Sequence, residues 1–387
     1  MEKMRILFCV SRFLDGGIDI ALVRYLAGLD PARYDAVLVI ADEYAGSEVL
    51  RRLVPPSVRV VHLVGGGVLT ALARKKVAVG LSRLEKIVEE VALRPVRRVM
   101  HWFGLRRLAR GAFAVVDFDA MQGGLLAGLR LRRKVAFFHF SMRDYCHGKP
   151  RRLRRLGRKL GGYDGVAVVS EVLRREAVEL FPEIAGKFVT IYNPLDASAL
   201  RAAAAEYAVP GGEFVLMVAR INESQKDYST LVRAYHAARL RHPAMPPLRI
   251  VGKGPDEGRV RALVRDLGEE GNVEFLGFLP NPLPWVAACS VFVLSSKFEG
   301  LSVALTEALA LGRMIVATDA PTGSREALDD GRCGTLVPVG DVEAMAGALV
   351  DAVTDEALRR CCAEAAVRHC EKFAVAESVR RLEALMG

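Results

Sequence analysis

Short β-branched runs alternate with longer segments of 3.6-residue apolar period along almost the whole chain. That alternation admits few folds other than parallel sheets flanked by helices. Two series of runs follow one another. The first passes from Met4-Val10 through Ala36-Ile40, Val58-His62, Phe113-Phe118, Val135-Phe138 and Val166-Val169 to Phe188-Tyr192. The second runs from Phe214-Ala219 through Leu248-Val251, Val273-Leu276, Val291-Leu294 and Met314-Ala317 to Gly334-Val337. Each has enough strands for a doubly wound sheet, and 387 residues, 51% of them hydrophobic, suffice for two cores. Between the series lie Asn193-Pro194-Leu195-Asp196, an Ala-rich segment and the turn Pro210-Gly211-Gly212. The expectation is an α/β chain of two Rossmann-like domains, 1–195 and 196–372. The pattern does not show where the last helix, Phe373 to Met386, packs.

Composition narrows the class further. The seven cysteines (Cys9, Cys146, Cys289, Cys333, Cys361, Cys362 and Cys370) are scattered without a C-x-x-C pair, so neither a zinc site nor a disulfide framework is indicated. A reducing cytoplasm is the expected compartment. Met4 to Val10 ends at Ser11-Arg12 without a small-residue cleavage site, and reads as a strand rather than a leader. No stretch reaches the roughly 18 to 20 apolar residues of a membrane-spanning helix.

Charge is uneven. The net value of +10 divides into +14 over residues 1–200 and −4 over the rest, and Arg74 to Lys159 alone carries +17. Within that stretch Val68 to Arg110 reads as an amphipathic helix interrupted near Pro95, and Arg151 to Leu160 as a separate basic helix. Core packing behind a solvated basic face is one explanation. Peripheral contact with anionic lipid is the other.

Candidate chemistry clusters after strand ends. Glu299 and Glu307 bracket seven residues just past the run Val291-Leu294. Ser302 is a natural N-cap for a helix ending at Gly312, so Gly300, Leu301, Ser302 and Val303 would present free N–H groups to a phosphate. Glu307 would then face a ribose diol, and Glu299 whatever the phosphate carries. Arg220 and Lys226 follow the first strand of the second series, at the ligand crevice of an open α/β sheet, where two cations can neutralise a diphosphate leaving group. Gly16-Gly17 form a second phosphate-compatible turn before a helix. His139 ends a strand and points into the same crevice.

Asp117-Phe118-Asp119 invites a magnesium reading, but as alternate strand residues the two carboxylates simply finish an apolar run. Gly252 to Gly258 is a defective dinucleotide fingerprint, with its third glycine one place late and a Pro between. That argues against an NAD-dependent oxidoreductase. The basic charge, unaccompanied by a nucleic-acid module, argues against nucleic-acid binding.

Taken in order, Gly16-Gly17, His139, Val168-Val169-Ser170-Glu171, Ile191-Tyr192-Asn193-Pro194, Arg220 with Lys226, Gly252-Lys253-Gly254, Phe275-Leu276-Gly277-Phe278 and Glu299 to Glu307 resemble the GT4 family of GT-B-fold glycosyltransferases. The resemblance implies a retaining, metal-independent enzyme without cofactor. Arg220 and Lys226 would bind the donor diphosphate, Glu307 the ribose, Glu299 and His139 the donor sugar, and the Phe278 backbone the base. It also implies a final helix, 373–387, that crosses back onto the first domain. Leu301 and Ser302 depart from the family pattern, where many members carry a proline-containing segment. The segment Pro321 to Glu326 is similar to members that build bacterial surface glycans or lipid-linked oligosaccharides. The expected partners are a UDP-linked hexose or N-acetylhexosamine and a polyprenyl-diphosphate-linked acceptor at the inner face of the cytoplasmic membrane.

Overall fold

The computed structural model describes residues 3–14, 16–44, 48–78, 80–129 and 131–387. Seven strands form the first sheet: β1 (Met4–Val10), β2 (Tyr34–Asp42), β3 (Arg59–Val64), β4 (Ala114–Asp117), β5 (Arg133–Phe138), β6 (Gly165–Val168) and β7 (Phe188–Thr190). Six form the second: β8 (Val215–Val218), β9 (Leu248–Val251), β10 (Val273–Gly277), β11 (Val291–Leu294), β12 (Met314–Thr318) and β13 (Thr335–Val337). The strand orders are β3-β2-β1-β4-β5-β6-β7 and β10-β9-β8-β11-β12-β13, parallel throughout. Helices cover both faces, so central strands are apolar on both sides; Ile6, Leu7 and Phe8 are all fully buried. This is why the runs could be read as strands although they do not alternate.

In each sheet the order reverses beside the first strand, between β1 and β4 and between β8 and β11. Crevices at such reversals, past the carboxyl ends of the strands, are where these sheets bind ligands. Six helices matter below: α1 (Gly17–Gly28), α2 (Arg94–Leu108), α3 (Pro150–Leu160), α4 (Glu171–Leu180), α5 (Val303–Ala310) and α6 (Val375–Met386).

α6, the last helix, lies on the first sheet. Val379, Leu382 and Met386 join the core of Ile6, Phe8 and Leu22. Gly28 makes the approach possible, since a Cβ there would stand 2.8 Å from Val375 and 2.9 Å from Val379. Two backbone bonds fasten the crossing: Leu195 N–H to Phe373 O at 2.8 Å, and Val375 N–H to Leu195 O at 3.1 Å.

The helix expected to break at Pro95 does not break. Helix Arg83–Val88 passes through a π turn, Glu89–Leu93, directly into α2. Pro95 lacks an N–H and its ring crowds the carbonyl four residues back, so the turn widens and Arg94 N–H bonds to Glu89 O, five residues back. Widening also brings Glu89 inward to Arg97. Both are buried and paired, Arg97 Nε lies 3.5 Å from Asp42, and His101 is 2.9 Å from the same carboxylate.

Polar contacts thus hold this helix, and the core-packing explanation fails for most of its apolar side. Leu84, Val91 and Phe103 are 76%, 72% and 61% exposed, whereas Leu105 is buried. Val79 lies outside the described residues. No helix among the described residues is long and apolar enough to cross a membrane.

Candidate active site

Arg220 sits two residues past β8 on a loop that neighbouring backbone clamps. Ile221 N–H bonds to Lys253 O at 3.0 Å, and Ala219 N–H to Val251 O at 3.0 Å. A Cβ on Gly252 or Gly254 would collide with the carbonyls of Ala219 and Ile221. Those glycines therefore serve the Arg220 loop rather than a dinucleotide, which is the physical reason for the defective fingerprint. Arg220 is exposed and makes no ion pair among the described residues. Phe278 is half-buried, one residue past Gly277, whose carbonyl accepts Gly252 N–H at 2.8 Å.

Lys226 closes the short helix Glu223–Lys226 and forms an ion pair with Glu299 Oε1, which also accepts Ser296 Oγ–H at 2.6 Å. Oε2 of Glu299 has no hydrogen bond among the described residues. Glu307 is arranged alike. Its Oε1 pairs with Arg24 of α1, which also reaches Pro194 O at 3.4 Å, and its Oε2 is unused. Two buried carboxylates are each oriented by a cation and each keep an oxygen for a hydroxyl.

Ser302 stands at the N-cap of α5, but its hydroxyl makes no capping bond, so the first N–H groups of the helix carry no side-chain acceptor. Opposite it is the start of α1. Gly16 is the N-cap, and a Cβ on Gly17 would lie 3.4 Å from Val303. Gly17 meets Val303 and Arg24 meets Glu307, so the two helices run side by side in the same direction, with both positive ends at one place. Asp19 Oδ2 accepts the Gly16 N–H at 3.1 Å at the start of α1, whereas no side-chain acceptor caps the start of α5 among the described residues.

His139 follows β5. Its Nε2 is 2.7 Å from Phe118 O, which can only accept, so Nε2 carries the proton. Burial depresses the imidazole pKa to about 4. The ring is thus neutral, and Nδ1 is a bare acceptor that is buried without a partner. The His139 carbonyl lies where a Cβ on Gly300 would have to be, and Gly300 O lies where one on Gly323 would be. Backbones from both α/β units therefore touch at Gly300, next to Leu301, whose carbonyl accepts Asn193 Nδ2–H at 2.9 Å.

The Asp117-Phe118-Asp119 triplet is more than a strand finish. Asp117 is fully buried, takes the Tyr163 hydroxyl and the Gln122 N–H (2.7 Å), and burial lifts its pKa to about 8. Among the described residues no group of three His, Cys, Asp or Glu is placed to hold a metal ion.

Three participants escaped the sequence reading. Arg24 carries no local signal, because its partner is 283 residues away. Glu326 accepts the Glu171 N–H at 2.8 Å, capping α4 from the other α/β unit, and also takes the Tyr192 hydroxyl. Asp119 was passed over with its triplet.

Residues 212–355 match the family described as glycosyl transferases group 1. This segment is a group 1 glycosyltransferase domain. The chain is 35% identical over 170 residues to the N-acetylgalactosamine-N,N'-diacetylbacillosaminyl-diphospho-undecaprenol 4-alpha-N-acetylgalactosaminyltransferase of Campylobacter jejuni, covering 44% of this chain and 45% of that one. It is 33% identical over 199 residues to the phosphatidyl-myo-inositol mannosyltransferase of Mycolicibacterium smegmatis, covering 50% of each. The chain thus spans about half the length of these curated relatives. Among solved structures, Anabaena HepE in complex with UDP and glucose superposes over 98% of each chain with a TM-score of 0.77 at 18% identity. S. aureus TarM in complex with UDP does so over 100% of each, at 0.79 and 13%. At such identity the likeness speaks for the fold: two parallel-sheet units in the GT-B arrangement of the glycosyltransferase domain and its partner.

Proposed function

We propose that the chain is a retaining, metal-independent glycosyltransferase that moves a hexose or N-acetylhexosamine from a UDP-sugar to a hydroxyl of a lipid-linked glycan acceptor in surface-glycan synthesis. The observation that carries this is the convergence of the α1 and α5 starts, with the Lys226–Glu299 pair on the loop that enters α5 and the exposed Arg220 just past β8. A diphosphate bound there would meet two helix ends and the cations of Arg220 and Lys226, which can take the part a divalent metal plays elsewhere. On this reading Glu307 Oε2 would accept from a ribose hydroxyl, and Glu299 Oε2 from a hydroxyl of the donor sugar.

In the proposed reaction the acceptor oxygen attacks the anomeric carbon on the face the diphosphate leaves. The carbon–phosphate-oxygen bond breaks with its electron pair staying on the phosphate, which takes the hydroxyl proton. The protein positions both substrates and stabilises the leaving charge.

The acceptor side of the reading rests on α2 and α3. Five arginines of α3, Arg151, Arg152, Arg154, Arg155 and Arg158, are exposed. Neither they nor Lys159 form an ion pair among the described residues. Like charges three and four apart repel, and cations in the first turn oppose the helix dipole, so the helix is electrostatically unfavourable until an anion covers it. The Arg83 to Leu108 helix likewise exposes Leu84, Val91 and Phe103 among further cations, the composition of a helix lying on anionic lipid at the inner membrane face. The C. jejuni relative is named for an undecaprenol-linked acceptor, which supports the same choice.

Co-sedimentation with vesicles tests this. Binding to phosphatidylglycerol vesicles, lost in pure phosphatidylcholine and weakened in Phe103→Ser, supports the membrane reading. Equal behaviour with both vesicles contradicts it.

A further inference from the structure

We propose that Asp119 holds the acceptor's attacking hydroxyl, an assignment that rests on the glycosyltransferase reading above. Asp119 lies two residues past β4, where the strand order of the first sheet reverses. Its Oδ2 accepts the Ser11 N–H at 2.7 Å, and its Oδ1 the Met121 N–H at 3.1 Å. Ser11 opens the loop that leads from β1 to Gly16-Gly17. Each carboxylate oxygen keeps a further lone pair. The side chain is half-exposed, whereas Asp117 on the same face is sealed.

The turn that presents this carboxylate is braced more heavily than a connection requires. Ala120 adopts φ +51, the left-handed region that a residue with a Cβ avoids. The Met121 N–H is shared between Asp117 Oδ1 and Asp119 Oδ1, at 3.1 Å each. Gln122 is buried, and its amide donates to Ser11 Oγ at 3.3 Å. Strain kept by this many bonds, around a half-exposed carboxylate, serves presentation of that side chain.

Its surroundings are those of the reaction. Phe118, the preceding residue, holds His139 through its carbonyl, and the His139 carbonyl abuts Gly300, next to Glu299. Half-buried Lys159 of α3 lies over the same turn, within 3.1 Å of where a Cβ on Gly123 would be. Asp119 is thus linked through Phe118 and His139 to the contact at Gly300, and Lys159 brings the basic helix α3 over its turn. The Asp119 carboxylate accepts a hydrogen bond from the acceptor hydroxyl and aims that oxygen at the anomeric carbon. The proton still leaves with the diphosphate.

The test compares the wild type with Asp119→Asn and Asp119→Ala, using UDP-sugars and octyl glycosides of hexoses and N-acetylhexosamines. Asp119→Asn keeps one oxygen for the Ser11 N–H and so guards against a merely unfolded loop. The expected result is a fall of about 10²-fold in kcat/KM for the acceptor. Donor KM and acceptor-independent UDP release stay within about twofold. A deoxy glycoside lacking the attacked hydroxyl should bind the wild type more weakly than its parent, and both should bind Asp119→Ala alike. Unchanged acceptor kcat/KM in a wild type that transfers sugar overturns the role of Asp119 alone. Donor binding that falls in step places Asp119 on the donor side and also overturns it. A wild type that transfers no sugar from any nucleotide donor brings down the glycosyltransferase reading, and the proposal with it.

Discussion

Gly300→Ala isolates the contact between the two halves of the site. The added methyl would fall far inside the 3.0 Å that side-chain carbons keep from other atoms, and what it meets is the rigid carbonyl of His139 from the other α/β unit. Val169 is also near, at 3.2 Å. Rigid backbones on both sides leave one relief, a parting of the units by about 1 Å, and a misplacement of that size costs about 10²-fold in rate. That corresponds to about 2.7 kcal/mol of transition-state stabilisation. Parting the units also separates the starts of α1 and α5, so the nucleotide Kd should rise along with the fall in rate, whereas the core of each unit is untouched and the melting temperature should change little.

Gly323→Ala is the contrast. Its methyl would strike Gly300 O inside one unit, where no rigid-body motion helps, so overpacking of about 1–3 kcal/mol should appear as a lower melting temperature. The assay pairs initial rates of sugar transfer with thermal melts of both variants. Gly300→Ala with wild-type kcat would refute the argument that catalysis uses the closed arrangement.

Other expectations follow from single residues. Arg220→Ala, at an exposed side chain without a structural partner, should lower kcat by about 10²–10³-fold with an unchanged melting temperature; near-normal transfer would remove Arg220 from the leaving-group site. Asp117 keeps its proton to about pH 8 in the fold but loses it near 3.9 when unfolded, so its contribution lowers stability as pH rises from about 4 to about 8. His139 acts oppositely, because its depressed pKa makes stability rise from about pH 4 to about 6.5. Between pH 6.5 and 8 only Asp117 of the two still acts, and Asp117→Asn should flatten the fall in melting temperature there; an unchanged slope in a thermal melt series would contradict the burial argument.

All thirteen strands were legible, because strands covered on both faces must be apolar throughout and 3.6-period helices separate them. The positions of Arg220 just past β8 and of Glu299 just past β11 were legible too, because each follows an apolar run within a few residues in the sequence. What could not be read depends on contacts between distant segments. Arg24 looks like any helix arginine until α1 is laid beside α5. Gly300 and Gly323 look like loop glycines until the backbone that presses on each is in place. Pro95 suggested a break because its missing N–H is a local fact, while the π turn that absorbs it is fixed by Arg97, Glu89 and Asp42 around it. Exposure of Leu84, Val91 and Phe103 could not be foreseen either, for amphipathic spacing marks an apolar face without saying what covers it.

In the proposed mechanism Arg220, Lys226 and two helix starts hold a nucleotide diphosphate so that its sugar can pass to an acceptor hydroxyl. The most direct test of that mechanism is a panel of UDP-, GDP- and ADP-sugars with lipid-linked and soluble glycoside acceptors, run in EDTA and read by mass spectrometry and anomeric NMR of the product. Transfer from a UDP-sugar is expected, undiminished by EDTA, with a product of unchanged anomeric configuration. No transfer from any donor, an absolute need for Mg²⁺ or Mn²⁺, or an inverted product would contradict it.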